Sequence, residues 1–216
     1  MAPRFVAGER LPRPPTQARS IASQERLLDA AQRLFGEQGY DETSVAEIVS
    51  EAHASVGVFY NRFVDKAEVF RAVVHRVLER VLAMWAEALD RGRRPGAGLA
   101  EVVAEVVRDL AQFLRANGPM LRAISMRNIS DPAVVVISRG VSGLLVAPLA
   151  ELLLQHRAEI SHPNPELAVD LGFQMLYATL RQTVLYGDER PTELAMSWEE
   201  LVAELSRAYV AYLKAT

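Results

Sequence analysis

The 216-residue sequence contains no cysteine, which excludes disulfide frameworks, thiolate nucleophiles and cysteine-ligated zinc, and permits a reducing compartment. It also lacks a long apolar run. The longest charge-free stretch, Gly140 to Ala150, is too short to span a bilayer and contains Pro148, and residues 1–20 have no continuous apolar core of a signal peptide. A soluble, cytoplasmic protein with no membrane partner is the expectation. Basic charge is not in excess either: the formal net charge is −3, and the first 70 residues hold eight Arg/Lys against ten Asp/Glu, so any contact with DNA must be made locally. No strand pattern, repeat or low-complexity tract is present, and with no strand there is no glycine-rich phosphate loop following one. The four histidines, His53, His75, His156 and His162, are scattered. The one close pair, in "HRAEISH", has neither a helical metal-ligand spacing nor an evident third ligand. Catalytic residues, a metal and a cofactor are therefore not expected.

What is present is helix. Half of the residues are hydrophobic and 24% are charged, a globular balance able to offset the entropy of folding. Residues 1–18 carry four prolines and no period and read as a flexible arm. From Ser20 or Ser23, Leu27, Leu28, Ala31, Leu34 and Phe35 follow helical spacing until Gly36 and Gly39 close the segment. In "TSVAEIVSEA", Ser44 and Glu47 stand at the spacing of a capping box, ahead of a stripe formed by Val45, Ile48, Val49 and Ala52. Asp65 then introduces a long amphipathic helix from Lys66 to about Arg91, roughly 39 Å at 1.5 Å per residue and long enough to join two modules. Further helices are expected over Leu99–Asn117, from Pro119 to about Arg127, from Pro132 onward with Pro148 either kinking it or starting another, over about Pro165–Tyr186, and over about Ser197–Lys214. The chain is all-α, with an N-terminal three-helix module joined by the long fourth helix to a larger helical domain.

Between the second and fourth helices lies "SVGVFYNRF", Ser55 to Phe63, with a single charged side chain. On a helix Phe59 and Phe63 fall on one face as core anchors, and the opposite face carries Gly57 and Asn61 flanked by Val58, Tyr60 and Arg62. Two short helices joined by about two residues, the second opening on Ser55, match a helix-turn-helix whose second helix enters the DNA major groove. Helix N-termini at Ser44, Ser55 and Lys66 present backbone N–H groups to phosphate, and that partial positive charge escapes a count of Arg and Lys.

The stretch "RLLDAAQRLFGEQGYDETSVAEIVSEAHASVGVFYNRFVDKAEVF", Arg26 to Phe70, resembles the N-terminal DNA-binding module of the tetracycline-repressor (TetR) family of transcriptional regulators. It joins "AAQRLFGEQGY", "TSVAEI", "SVGVFYNRF" and "DK" in that family's order and spacing and covers about one fifth of the chain. The resemblance implies that Ser44 caps the second helix and contacts phosphate, and that Val56, Gly57 and Val58 form the base-reading turn. It implies further that Tyr60 and Lys66 contact phosphate and that Asn61 and Arg62 face DNA. Two departures stand out. His53 occupies the place of the family's common turn glycine, where a left-handed histidine would strain or alter the turn. Val56 replaces a frequently polar or basic residue, which favours apolar contact with a thymine methyl over a guanine hydrogen bond. The implied division is an arm over 1–18, a DNA-binding domain over 19–66 and an effector-binding and dimerisation domain over 67–216.

The segment from Pro165 to Tyr186 is apolar around most of its circumference, with Gly172 and Ala178 permitting close approach. Packing of the last two helices against the same pair in a second copy is the simplest way to bury it, giving a homodimer whose recognition helices, about 34–36 Å apart, read a pseudo-palindrome. Trp85, Phe113, Met120, Met126, Phe173 and Tyr177 are the candidates to line a pocket for an apolar or aromatic small-molecule effector, although such residues are also ordinary core. The expected function is a ligand-responsive regulator, a repressor by the family's usual sign, acting on double-stranded operator DNA. The alternative is an all-helical adaptor that keeps the helix-turn-helix as scaffold.

Overall fold

The computed structural model describes residues 18–127, 131–187 and 196–216; the arm expected over residues 1–18 falls, up to residue 17, outside them. Among the described residues the chain is all-helical, as the periodicity predicts. In order, the helices are α1 (Ala18–Glu42), α2 (Val45–Glu51), α3 (Val56–Tyr60), α4 (Lys66–Gly92), α5 (Leu99–Ala116), α6 (Gly118–Arg127), α7 (Pro132–Leu154), α8 (Pro165–Tyr186) and α9 (Trp198–Leu213), with a 3-10 turn at Arg157–Glu159. The chain divides into two compact units that meet between Arg76 and Val77, within α4.

The first unit is built around aromatic and aliphatic side chains that the period-3.6 pattern turns inward. Leu27, Ala31 and Phe35 of α1, Ile48 of α2, Phe59 of α3, Phe63 after it, and Val69, Phe70, Val73 and Val74 of α4 are all buried to within 1%. Burial of each large apolar side chain contributes about 1.5–3 kcal/mol. Gly39 (φ 86°, ψ 173°) breaks α1 near its end. The break turns Tyr40 inward: its ring stacks on Phe35 at 5.8 Å and meets Phe70 edge-on at 5.1 Å. On the outside, the Arg76 guanidinium of α4 reaches Asp29 at 2.7 Å and Glu25 at 3.3 Å on α1.

In the second unit α5, α7, α8 and α9 close on the end of α4 around Trp85, Leu99, Leu110, Leu152, Val169 and Leu213. Pro148 lies inside α7 without ending it. A proline cannot donate to the carbonyl four residues back, here that of Leu144; one residue further on, Trp85 donates its Nε1–H to the Leu145 carbonyl at 2.8 Å. Gly172 serves close approach within the chain: a Cβ there would lie 2.2 Å from the ring of Tyr209, whose hydroxyl donates to the Val169 carbonyl at 2.6 Å.

Candidate nucleic-acid interface

The site is assembled from caps. Ser44 is the N-cap of α2, and its hydroxyl accepts from the Glu47 amide at 3.2 Å while the Glu47 carboxylate accepts from the Ser44 amide at 2.7 Å, the reciprocal box that the spacing predicts. The Ser44 hydroxyl also donates to the Glu47 carboxylate at 2.7 Å, and this bond first, then those from the Ser44 amide and Gln38, hold the Glu47 carboxyl below the usual glutamate range. At its other end α2 closes through two backbone bonds, His53 N–H to the Ser50 carbonyl at 3.1 Å and Ala54 N–H to the Val49 carbonyl at 3.0 Å. That pairing requires a left-handed residue between the helices. His53 supplies it with φ 46°, the one positive φ outside glycine among the described residues. The turn that a glycine would favour is kept, with a histidine bearing its strain.

Ser55 caps α3, its hydroxyl accepting from the Val58 amide at 3.3 Å. The short helix is pinned by Phe59 and Phe63, 5.6 Å apart ring to ring. The opposite side stands in solvent: Val56 is 53% and Tyr60 56% exposed, Gly57 and Asn61 are exposed, and Val58 and Arg62 half-buried. A Cβ added to Gly57 would meet nothing closer than the Ser55 hydroxyl at 3.9 Å. The fold therefore does not require glycine at that position, although glycine costs a helix roughly 0.5–1 kcal/mol relative to alanine. Val64, 74% exposed just after Phe63, adds an apolar contact beside this face. Periodicity gives no reason to single it out, since it lies in a loop where a valine reads as core.

Lys66 opens α4 half-buried. Its ammonium donates to the carbonyls of Tyr40 at 2.8 Å and Asp41 at 3.2 Å and sits 4.4 Å from the centre of the Tyr40 ring. A lysine thus caps the end of α1 from α4. An ammonium has three donors, and these contacts account for two of them. The nine residues expected at DNA, Ser44, Ser55, Val56, Gly57, Val58, Tyr60, Asn61, Arg62 and Lys66, all belong to the first unit.

Of the six residues expected around an effector, the structure brings three together. Trp85 and Phe173 lie 5.8 Å apart, and Tyr177 stacks on Phe173 at 6.0 Å, its hydroxyl pKa raised by burial. Phe113 packs against the same core and Met120 is buried in α6. Met126 corrects the expectation: it is 71% exposed, because the buried side of α6 is set by Met120, Ala123 and Ile124 and residue 126 falls on the opposite side. Among the described residues no cluster of His, Asp and Glu could hold a metal, and no helix is long and apolar enough to cross a membrane.

Residues 27–73 match the family described as bacterial regulatory proteins, tetR family. The HTH-type transcriptional regulator UidR of Escherichia coli K12 is 22% identical over 167 residues, 76% of this chain and 83% of the relative. The HTH-type transcriptional repressor ComR of the same organism is 35% identical over 63 residues, 29% of this chain and 30% of its own length. Among solved structures, a TetR-family transcriptional regulator from Mesorhizobium loti superposes with a TM-score of 0.70 at 23% identity, covering 91% of this chain and 98% of the other, which shows a shared fold. With the cap-turn-cap geometry of α2 and α3, these matches show that residues 27–73 form a helix-turn-helix module of the tetR family of bacterial regulatory proteins, within a chain that shares the fold of TetR-family regulators.

Proposed function

We propose that the chain is a repressor that holds a pseudo-palindromic operator as a homodimer and releases it on binding a small apolar or aromatic effector. The observation that carries this reading is the division of one short segment: Phe59 is fully buried, while Val56 and Tyr60 are more than half exposed on either side of an open Gly57. In the proposed complex α3 lies in the major groove. Val56, Gly57 and Val58 meet base edges, with Val56 against a thymine methyl, and Asn61 and Arg62 border them. Ser44, Ser55 and Tyr60 hold the phosphates, and Lys66 adds its third N–H. A regulator of this kind works where the DNA is, in the cytoplasm.

The proposed dimer uses α8 and α9. Leu167, Leu171 and Met175 recur every fourth residue along α8, 50%, 38% and 48% exposed, and Tyr186 continues the stripe at 56%. A self-complementary pairing of this stripe across a two-fold axis would bury it and set two α3 helices one DNA turn apart. The effector's proposed place is the ring cluster of Trp85, Phe173 and Tyr177, bordered by Phe113 and Met120. To weaken operator binding a hundredfold it must favour the non-binding state by about 2.7 kcal/mol.

Selection of bound sequences from random DNA, followed by gel shifts across a salt series, tests the reading. The expected result is a two-fold symmetric motif with affinity falling steeply as salt rises. An asymmetric motif, or weak binding indifferent to sequence, would overturn it.

A further inference from the structure

Along one edge of the α5–α9 pair runs a half-open cleft of about 730 Å3, within the range of small-molecule sites. Its floor is made of side chains too short to fill it, Ala104 and Ala111 from α5 and Ala203 from α9, and Trp198 forms an aromatic wall at the start of α9. Guanidinium groups surround that apolar surface. Arg115 stands 5.7 Å over the Trp198 ring and pairs with Glu199 at 3.0 Å, while Arg207 is held by Glu204 of its own helix. Arg108 also lines the cleft and has no acceptor among the described residues. Arg115 follows it at the seventh position, so the two share a face of α5, about 10 Å apart along its axis.

With Arg115 and Arg207 each paired to a glutamate, Arg108 is the one lining cation left without a carboxylate among the described residues, in a chain of net charge −3. An inorganic anion would leave the alanine floor and the indole face wet. A neutral apolar molecule would leave Arg108 unused. A flat apolar body ending in a carboxylate satisfies both, its body on the alanines against Trp198 and its two oxygens on the planar fork of Arg108, the bidentate pairing guanidinium favours. We propose that the α5–α9 cleft binds a small amphipathic carboxylate. The site shares no residue with the ring cluster, the α8 stripe or the DNA-facing residues; its one link to the function proposed above is α9, which forms a wall of the cleft and also belongs to the proposed dimer.

The test is calorimetric titration of the full chain with 2-naphthoate and with its neutral analogue 2-naphthalenemethanol. Naphthoate should bind saturably at one site per chain, about tenfold or more tighter than the alcohol, as a charge-assisted bidentate contact predicts. Arg108→Gln, a change at an exposed position that leaves thermal melting unaltered, should abolish the preference for the acid without changing the weaker binding of the alcohol. Equal affinities for acid and alcohol, undiminished naphthoate binding by Arg108→Gln, or no heat from either probe up to millimolar concentration would each overturn the proposal. The last outcome would also hold if a peptide or a second copy of the chain occupied the cleft. Operator binding, measured in parallel, is unaffected by any of these results.

Discussion

Helices α3 and α8 both leave large apolar side chains in solvent, but their settings differ. On α3 the exposed Val56 and Tyr60 are interspersed with an open glycine, an asparagine and a capping serine, over a helix of only five residues. On α8 the exposed Leu167, Leu171 and Met175 recur every fourth residue, and Tyr186 follows near the end of the 22-residue helix after the exposed Thr179 and Gln182. The first surface combines small size with hydrogen-bonding capacity and suits a polar groove edged by phosphate. The second offers area without directionality and suits another apolar face. Exposed hydrophobicity alone therefore does not identify a partner; the polar groups interleaved with it do.

Substitutions that separate packing from contact sharpen this comparison. The largest effect is expected for Phe59→Ala, which should destabilise the first unit by about 3–5 kcal/mol in urea melts, while Tyr60→Ala next to it changes stability by less than about 0.5 kcal/mol. Equal losses would erase the division of α3. On α8, Met175→Glu should raise the dimer dissociation constant by about a hundredfold, near 2.7 kcal/mol, in sedimentation equilibrium, leaving the monomer folded. Tyr60→Ala and Lys66→Ala should each weaken binding to all DNA sequences about tenfold, whereas changes at Val56 or Val58 shift base preference. Of the first two, Lys66→Ala alone should also lower the melting temperature, because it strips the Tyr40 and Asp41 carbonyls of their donor. Gly57→Ala should show opposite signs: a gain of about 0.5–1 kcal/mol in stability with a loss of operator affinity. The smallest effect concerns pH. The folded-state pKa of Glu47 lies below its unfolded value, so the stability it contributes is present above the ordinary glutamate pKa of about 4.3 and is lost as pH falls through the depressed value. Glu47→Gln should flatten that acid limb of the melting curve.

Features set by nearby residues were legible in the sequence. α8 spans Pro165–Tyr186 as its apolar pattern predicts, α4 and α5 agree to within a residue, and the Ser44–Glu47 box forms. The outward face of α3 follows from Phe59 and Phe63 alone. What the sequence did not show depends on residues distant along the chain. The continuity of α7 through Pro148 goes with an indole 60 residues from Leu145, and the partners of Lys66 lie 26 and 25 residues before it. Met126 was chosen by residue type when its helical phase pointed outward. The α5–α9 cleft joins helices whose bridging pair, Arg115 and Glu199, is 84 residues apart, and no local pattern announces such a meeting.

The break at Gly39 governs the alignment of the helices that carry the proposed DNA-facing residues. A methyl group at that position would touch nothing within 4 Å, so crowding is not what excludes it; the backbone torsion of +86° is. Were residue 39 to relax into an ordinary helical turn, Tyr40 would rotate off Phe35 and Phe70 and the lysine at the head of α4 would lose both carbonyls. The orientation of the recognition segment would then drift without any DNA-facing atom having changed, a silent way to inactivate a regulator from its hidden side.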